Sequence, residues 1–408
     1  MFIFVKMAFR NVLRNKRRTI ITSIAVSIGI AMMNLIGSLI TGQDEQMIDN
    51  LVRAQTGHIQ IHAKGYSDEA RSLPLDVAIS DPDRIKNIIL GVRDVKSVTK
   101  RTRFGGLVSS GEKSVTAMGL AVELDGEAKV SSLSSSIVEG GYFTSASGQM
   151  LLGSGLAKAV HGGVGTILTF LTNTAYGAMN AMDFEVSGIF QTGVPQFDDL
   201  AAIVTLNDAG RLLDMDERAT EIVVLLDDSE KTEMVEAELY GKLKGEEVEI
   251  NDWKFFNRNL IQFLRLRKFL MNIIFAIVLV VALAGIVNTM IMAIAERTRE
   301  IGTMEALGLK GSQITAIFLC EAAVIGLLGS TYGCIIGGGL SFYWSVKGIS
   351  IGNLASGIGL PIESFYADFS PSRIIFAFVF GVCVSALAGL YPAYLAAKLK
   401  PVEALRYV

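Results

Sequence analysis

Residues 269–295 read FLMNIIFAIVLVVALAGIVNTMIMAIA, 27 positions without one charged side chain. A helix needs roughly 20 residues, at about 1.5 Å each, to cross a hydrocarbon core. Lipid offers no partners to backbone amides, so a run of this length satisfies its own hydrogen bonds as a helix. Three further runs, Thr19–Gln43, Ala322–Val346 and Ile374–Ala397, are equally free of charge. They specify an α-helical membrane protein with four transmembrane helices. Segregation of charge explains how a chain with 19% charged residues reaches 50% hydrophobic content and a mean hydropathy of +0.44. The first run is too long for the core of a cleaved signal peptide, and no small-residue cleavage site follows it; it reads as a signal anchor.

Basic residues set the orientation. Lys6, Arg10, Arg14, Lys16, Arg17 and Arg18 precede the first span, and no acidic residue occurs before Asp44. The positive-inside rule places the N-terminus in the cytoplasm, and four crossings return the C-terminus there with Lys398, Lys400 and Arg406. Residues 43–265 are then outside, with 33 acidic and 21 basic side chains. Cys320, Cys334 and Cys383 all lie in spans, so this segment is held by packing without disulfides. Residues 1–18 interleave Phe2, Ile3, Val5, Met7, Val12 and Leu13 with Lys6, Arg10 and Arg14. They read as an amphipathic interfacial helix or as a plain basic flank.

The resulting order is 1–18, first span 19–43, exterior domain 44–265, second span 266–295, cytoplasmic segment 296–311, third span 312–346, exterior loop 347–373, fourth span 374–397 and tail 398–408. The exterior domain reads as α+β. Gly57–His62 alternates like a half-buried strand, and Asp81-Pro82 opens a helix with Ile85, Ile88 and Ile89 on one face. Strands follow at Val95–Arg103 and Ser114–Val122. Near the end, Glu221–Leu226, Ser229–Lys244 and Glu247–Ile250 repeat strand, helix, strand. The two halves, about 44–124 and 216–265, form a split βαβ sub-domain interrupted by an all-β insertion at about 125–215. In the last two spans Gly329, Gly333, Gly337 and Gly381, Ser385, Gly389 recur every four residues, for close packing within one chain or between subunits.

No nucleotide loop is present: Gly106 to Ser114 has one residue too many before its Lys and sits in a hairpin. His58 and His62 fall about 13 Å apart on a strand, too far to share a metal, and His161 has no ligating neighbour. No nucleophile–base pair or carboxylate pair points to catalysis, so neither enzyme activity nor a cofactor is expected in this chain. Glu321 is the one acidic residue inside a span. A charge at mid-bilayer costs roughly 2.5–3.5 kcal/mol, so it is expected to snorkel or to pair with the basic N-terminal stretch. Residues 295–309 are expected to continue the second helix into the cytosol, with Gly308 as stop and Ser312 capping the third span. Ile301, Met304 and Leu307 form an apolar stripe there, packed on the bundle itself or offered to a partner groove.

Here the chain resembles a known family. Glu296-Arg-Thr-Arg-Glu-Ile-Gly-Thr-Met-Glu-Ala-Leu-Gly308 resembles the coupling-helix motif of the MacB/FtsX superfamily of type VII ABC transporter permeases. Tyr391 to Arg406 resembles its C-terminal signature, and Ala8 to Arg18 its start. Gly57–Tyr66, Glu139–Phe143 and Val186–Gly193 are most similar to the lipoprotein-releasing LolC/LolE type. The resemblance implies Glu296, Arg297, Arg299, Glu300, Ile301, Met304 and Leu307 as the contact with separate ATPase subunits, which hold ATP and magnesium. It implies that Leu171–Asp183, with Asn173, Tyr176, Met179 and Met182, extends as a hook for a periplasmic lipoprotein carrier. It further implies a second permease, identical or related, a lipoprotein substrate held by apolar contact between first and second spans of opposing subunits, membrane lipids around them, an inner-membrane location and no nucleic-acid partner. A MacB-like efflux permease and an FtsX-like mechanotransmitter acting on a cell-wall hydrolase are the rival readings.

Overall fold

The structure, a computed structural model, describes residues 7–11, 14, 16–215, 217–350 and 364–399. Parts of the N-terminal stretch (1–6, 12, 13, 15), most of the loop between the last two spans and the tail from 400 lie outside the described residues. Two compact units emerge: a membrane unit of residues up to 44, 263–350 and 364 onward, and an α/β unit of residues 45–262. Helix α1 (Lys16–Leu51) begins in the first and ends in the second, where Val52–Thr56 forms a π-helical turn.

In the α/β unit, β1 (Ile59–Ala63) is followed by α2 (Pro82–Leu90). The start of α2 is fixed as its residues dictate: Asp81 accepts a hydrogen bond from Arg84 N at 3.0 Å, Pro82 takes the first turn, and Ile85 and Ile89 are buried. Next come β2 (Val95–Ser109), β3 (Ser114–Val122), α3 (Leu124–Val130), β4 (Ile137–Gly140), β5 (Gln149–Gly153), α4 (Ser154–Val160), β6 (Ile167–Asn173) and β7 (Met179–Phe190). The unit ends with β8 (Ala201–Thr205), α5 (Leu206–Leu213), β9 (Glu221–Leu226), α6 (Thr232–Lys242) and β10 (Val248–Asp252).

The four strands β10-β1-β9-β2 lie antiparallel in that order. Each βαβ half skips a strand of the other, and Ile85, Ile89, Val235 and Leu239 of the two helices share one core with Ile59, Ile61, Ile222 and Val224. This is the split βαβ arrangement, α+β as its pattern predicts. β1 departs from the half-buried expectation. Ile59, Gln60, Ile61 and His62 are all buried, because β1 is an inner strand whose polar side lies under Tyr66 and Phe256.

The insertion is neither all-β nor bounded at 125. β2 is one 15-residue strand whose first half pairs with β9 and whose second half pairs with β3 and β6. From there the pairing runs β2-β3-β8-β5-β7-β6 and back to β2, a closed circuit of six strands. Its core holds Phe104, Val108, Phe170 and Phe184, with Leu156 and Val160 of α4 and Leu212 and Leu213 of α5. The boundary thus falls inside β2, and Leu156 and Val160 of α4 with Leu212 and Leu213 of α5 complete the core.

In the membrane unit α7 (Arg258–Glu296) is followed by α8 (Thr298–Ala306), α9 (Gly311–Lys347), α10 (Pro371–Ala388) and α11 (Leu390–Ala397). Among the described residues, four helices are long and apolar enough to cross a membrane, the last made of α10 and α11. The glycine spacing serves packing within the chain. A Cβ on Gly329, Gly333 or Gly337 would come within 2.7 Å of Val26, Ile30 or Ala31 of the first span. Gly381 and Ser385 face Ser330 and Gly326 in the same way.

Candidate coupling and transport sites

The stretch after the second span does not continue that helix as expected. Arg297 leaves helical geometry (φ −113°, ψ 15°), so α8 is a separate element. Gly308, at φ 97°, ends the turn that follows it. The cap of α9 is Lys310, not Ser312: Gln313 accepts a hydrogen bond from Lys310 N at 2.9 Å, and Gly311 already occupies the first helical position.

The residues of α8 and its flanks divide by direction. Ile301 is 1% exposed and packs with Ile294, Ile314 and Phe318, and Met304 leans partly on the same core. Leu307 is 82% exposed. The apolar stripe is therefore split, with Ile301 committed to the chain's own bundle and Leu307 projecting from it. Glu296 and Glu300, one turn apart, face Arg18 at 2.9 Å and Arg14 at 2.8 Å, also one turn apart. Arg299 is exposed. Arg297 points inward, 4% exposed, with Nη1 3.5 Å from Glu321 Oε2 and Nη2 3.4 Å from the Asn11 carbonyl. Glu321 thus pairs first with the arginine of the α7–α8 corner, while Asn11, Arg18 and Arg14 of the N-terminal stretch expected for it also act on its carboxylate. The paired i, i+4 spacing of Arg14/Arg18 and Glu296/Glu300 was visible in sequence, but no local signal joined elements almost 290 residues apart.

A cleft of about 240 Å³ opens among α1, α7 and α10. Val26, Ile30, Met33, Phe275, Leu279, Ile286 and Phe380 line it, with Asn272 and Ser385 as its polar members. One chain alone builds this cleft, with the fourth span as its third wall. Such a lining attracts an alkyl chain through dispersion and burial without directional bonds.

The 171–183 segment is no extended hook. β6 and β7 pair up to Asn173 opposite Met179, leaving a five-residue turn docked on α5. Ala175 N donates to Leu213 O at 2.8 Å, and Asn180 Nδ2 donates to Leu212 O at 2.9 Å. The free carbonyls at the end of α5 draw the turn in. Tyr176 and Met179 remain 74% and 72% exposed, Asn173 is exposed, and Met182 faces the core. The Arg218 guanidinium lies 6.0 Å from the Tyr176 ring.

A buried ionic cluster, unmarked in the sequence, lies in the α/β unit. Arg101, fully buried, holds Glu127 through Nε at 2.8 Å and Nη2 at 2.6 Å, and also donates to the Gln55 carbonyl. Arg103 donates to the same carbonyl at 2.7 Å and to Glu221 at 2.9 Å. Gln55 belongs to the π-helical turn, whose carbonyl end favours cations. Burial alone would raise the Glu221 carboxyl. Arg103, then the neighbouring His62 and Arg101, outweigh that and hold it at about 2. His58 accepts from Leu226 N at 3.1 Å.

Four spans, a short helix whose single projecting apolar residue stands beside them, and a split βαβ unit carrying a closed β circuit define a membrane permease. The family model of the MacB-like periplasmic core domain matches residues 19–240, and that of the FtsX-like permease C-terminal region matches residues 272–401. The chain belongs to the MacB/FtsX superfamily of ABC transporter permeases and is LolC-like within it. It is 26% identical to the lipoprotein-releasing system transmembrane protein LolC of Xylella fastidiosa strain Temecula1, over 97% of each chain. LolE of Haemophilus influenzae is 25% identical over 94% of this chain and 93% of that one. The macrolide export ATP-binding/permease protein MacB of Wolinella succinogenes is 27% identical over 99% of this chain and 61% of that one. Among solved structures, the periplasmic region of MacB from Actinobacillus actinomycetemcomitans aligns at 16% identity and a TM-score of 0.37, over 52% of this chain and 97% of that one.

Proposed function

We propose that this chain is the permease of an ABC transporter that lifts lipoproteins from the outer leaflet of the inner membrane and hands them to a periplasmic carrier. End-to-end similarity to lipoprotein-releasing LolC carries the reading. The apolar cleft among α1, α7 and α10 supports it, since acyl chains need only a greasy slot open to lipid. In this scheme two permeases, identical or related, stand over two ATPase subunits that hold ATP and magnesium. The α8 segment receives the ATPase through Leu307 and Arg299, both exposed. The carrier docks at Tyr176 and Met179, an exposed aromatic on the turn held by α5 and an exposed thioether at the first residue of β7. Depleting the chain in its native host and fractionating the membranes tests the proposal. Lipoproteins accumulate in the inner membrane if it holds; unchanged sorting overturns it.

The MacB match over 99% of the chain supports export of a small molecule as a second reading. It requires the opposite result in the same strain: normal lipoprotein sorting together with a gain in sensitivity to macrolides.

A further inference from the structure

Arg297 and Glu321 are the one arginine–carboxylate pair in which both side chains are almost fully enclosed in the membrane unit, among the described residues. Their side chains are 5% and 3% exposed, and 3.5 Å separates Nη1 from Oε2. Arg297 occupies the residue at which α7 stops and α8 begins, with a backbone outside helical geometry. Glu321 lies ten residues into α9, inside a span. The same guanidinium reaches the Asn11 carbonyl, so one side chain touches the N-terminal stretch, the α7–α8 corner and the third span. Burying such a pair is not the cheapest way to hold helices together; apolar side chains of equal volume do it at least as well. What a buried pair adds is one permitted arrangement, because a shift that separates its members leaves a bare charge in a dry interior.

We propose that Arg297 and Glu321 form the pivot that locks the α8 corner to the third span, so that displacement of α8 by a bound ATPase becomes displacement of α9. The proposal deepens the transporter reading above and rests on it for the identity of the partner. Arg297 is a positioning residue: it points away from the surface that meets the ATPase, and its task is to keep α8 from moving alone. The ladder Arg14–Glu300 and Arg18–Glu296 cannot replace it, since both of its glutamates are more than half exposed and such pairs are screened and worth little.

The test uses the full permease with its ATPase in liposomes, comparing wild type with Glu321→Gln, Arg297→Lys and the exchange Arg297→Glu/Glu321→Arg. Three quantities are read: ATPase retained on the purified permease, hydrogen exchange of α8 and α9 with and without ATP plus vanadate, and lipoprotein released per ATP hydrolysed. The pivot predicts that Glu321→Gln retains the ATPase and its protection of α8 while the nucleotide-dependent change in α9 disappears. Release per ATP then falls at least tenfold, Arg297→Lys keeps part of the α9 response, and the exchange recovers release to within about threefold. A merely structural pair gives lower yield and lower Tm in Glu321→Gln, but an unchanged α9 response and release per ATP in the folded fraction; that result overturns the proposal. If wild type releases no lipoprotein, the transport reading fails by itself, and the α9 response alone decides the pivot.

Discussion

Glu221 shows how far one residue's surroundings set its chemistry. With 1% of its side chain exposed it stays ionised because Arg103 sits at 2.9 Å, holding its carboxyl at about 2. The unfolded chain titrates a glutamate near 4.3. A depressed folded value gives stability that is fully present above the unfolded one and lost as pH falls from about 4.5 through 2. The shift corresponds to about 3 kcal/mol. We therefore expect the wild-type chain in detergent to lose thermal stability across that window, and Glu221→Gln to be less stable at neutral pH with a flatter acid limb. Parallel acid limbs in the two proteins would remove Glu221 from the account. Nothing in the sequence marked this residue, because its partners come from strands more than 100 positions away and strand periodicity cannot tell a solvated arginine from a buried one.

At the scale of elements, α8 separates two kinds of apolar residue that look alike in sequence. Ile301→Asp places a carboxylate among Ile294, Ile314 and Phe318, at a cost of several kcal/mol, and should lower the amount of folded permease. Leu307→Asp changes an 82% exposed side chain and should leave folding intact while reducing co-purification of the ATPase about tenfold. Equal ATPase capture by wild type and Leu307→Asp would move the contact elsewhere. The hairpin divides in the same way. Replacing Tyr176 and Met179 together with serine should abolish crosslinking to the carrier at unchanged Tm. Met182→Ser, on the inward face, should cost about 2 kcal/mol and leave crosslinking intact in the folded fraction. Carrier crosslinking that survives the double serine variant would refute docking at the turn. What was legible here were periods and caps: the spans, the Asp81-Pro82 start of α2 and the existence of a stripe at 301, 304 and 307. Which member of the stripe faces inward depends on where α9 lies, and a helical period carries no address for its neighbour.

For the whole molecule, we expect from the charge asymmetry that the α/β unit lies outside and the α8 corner inside. Alkaline phosphatase fused at Gly65 should be active and fused at Lys310 inactive; activity at Lys310 would reverse the membrane orientation. The four spans and the split βαβ order could be read directly because each rests on a local pattern repeated twice or more. The closed six-strand circuit could not. It depends on β2 passing from β9 to β6 along one edge, and the only local mark of that handover is Gly105-Gly106, which permits the close approach of β6 but does not name the strand that makes it.

The order β10-β1-β9-β2 also fixes a timetable for biogenesis. β1 is made early, yet both of its neighbours, Glu221–Leu226 and Val248–Asp252, are among the last strands of the unit to be synthesised. At roughly 5–20 residues per second, the Ile59–Ala63 ribbon waits on the order of ten to thirty seconds with two bare edges while the ring of six strands is still being spelled out. A ribosome that stalls before residue 221 leaves that ribbon exposed for the lifetime of the fragment, an open invitation to proteases and to the equally bare ribbon of the next nascent chain.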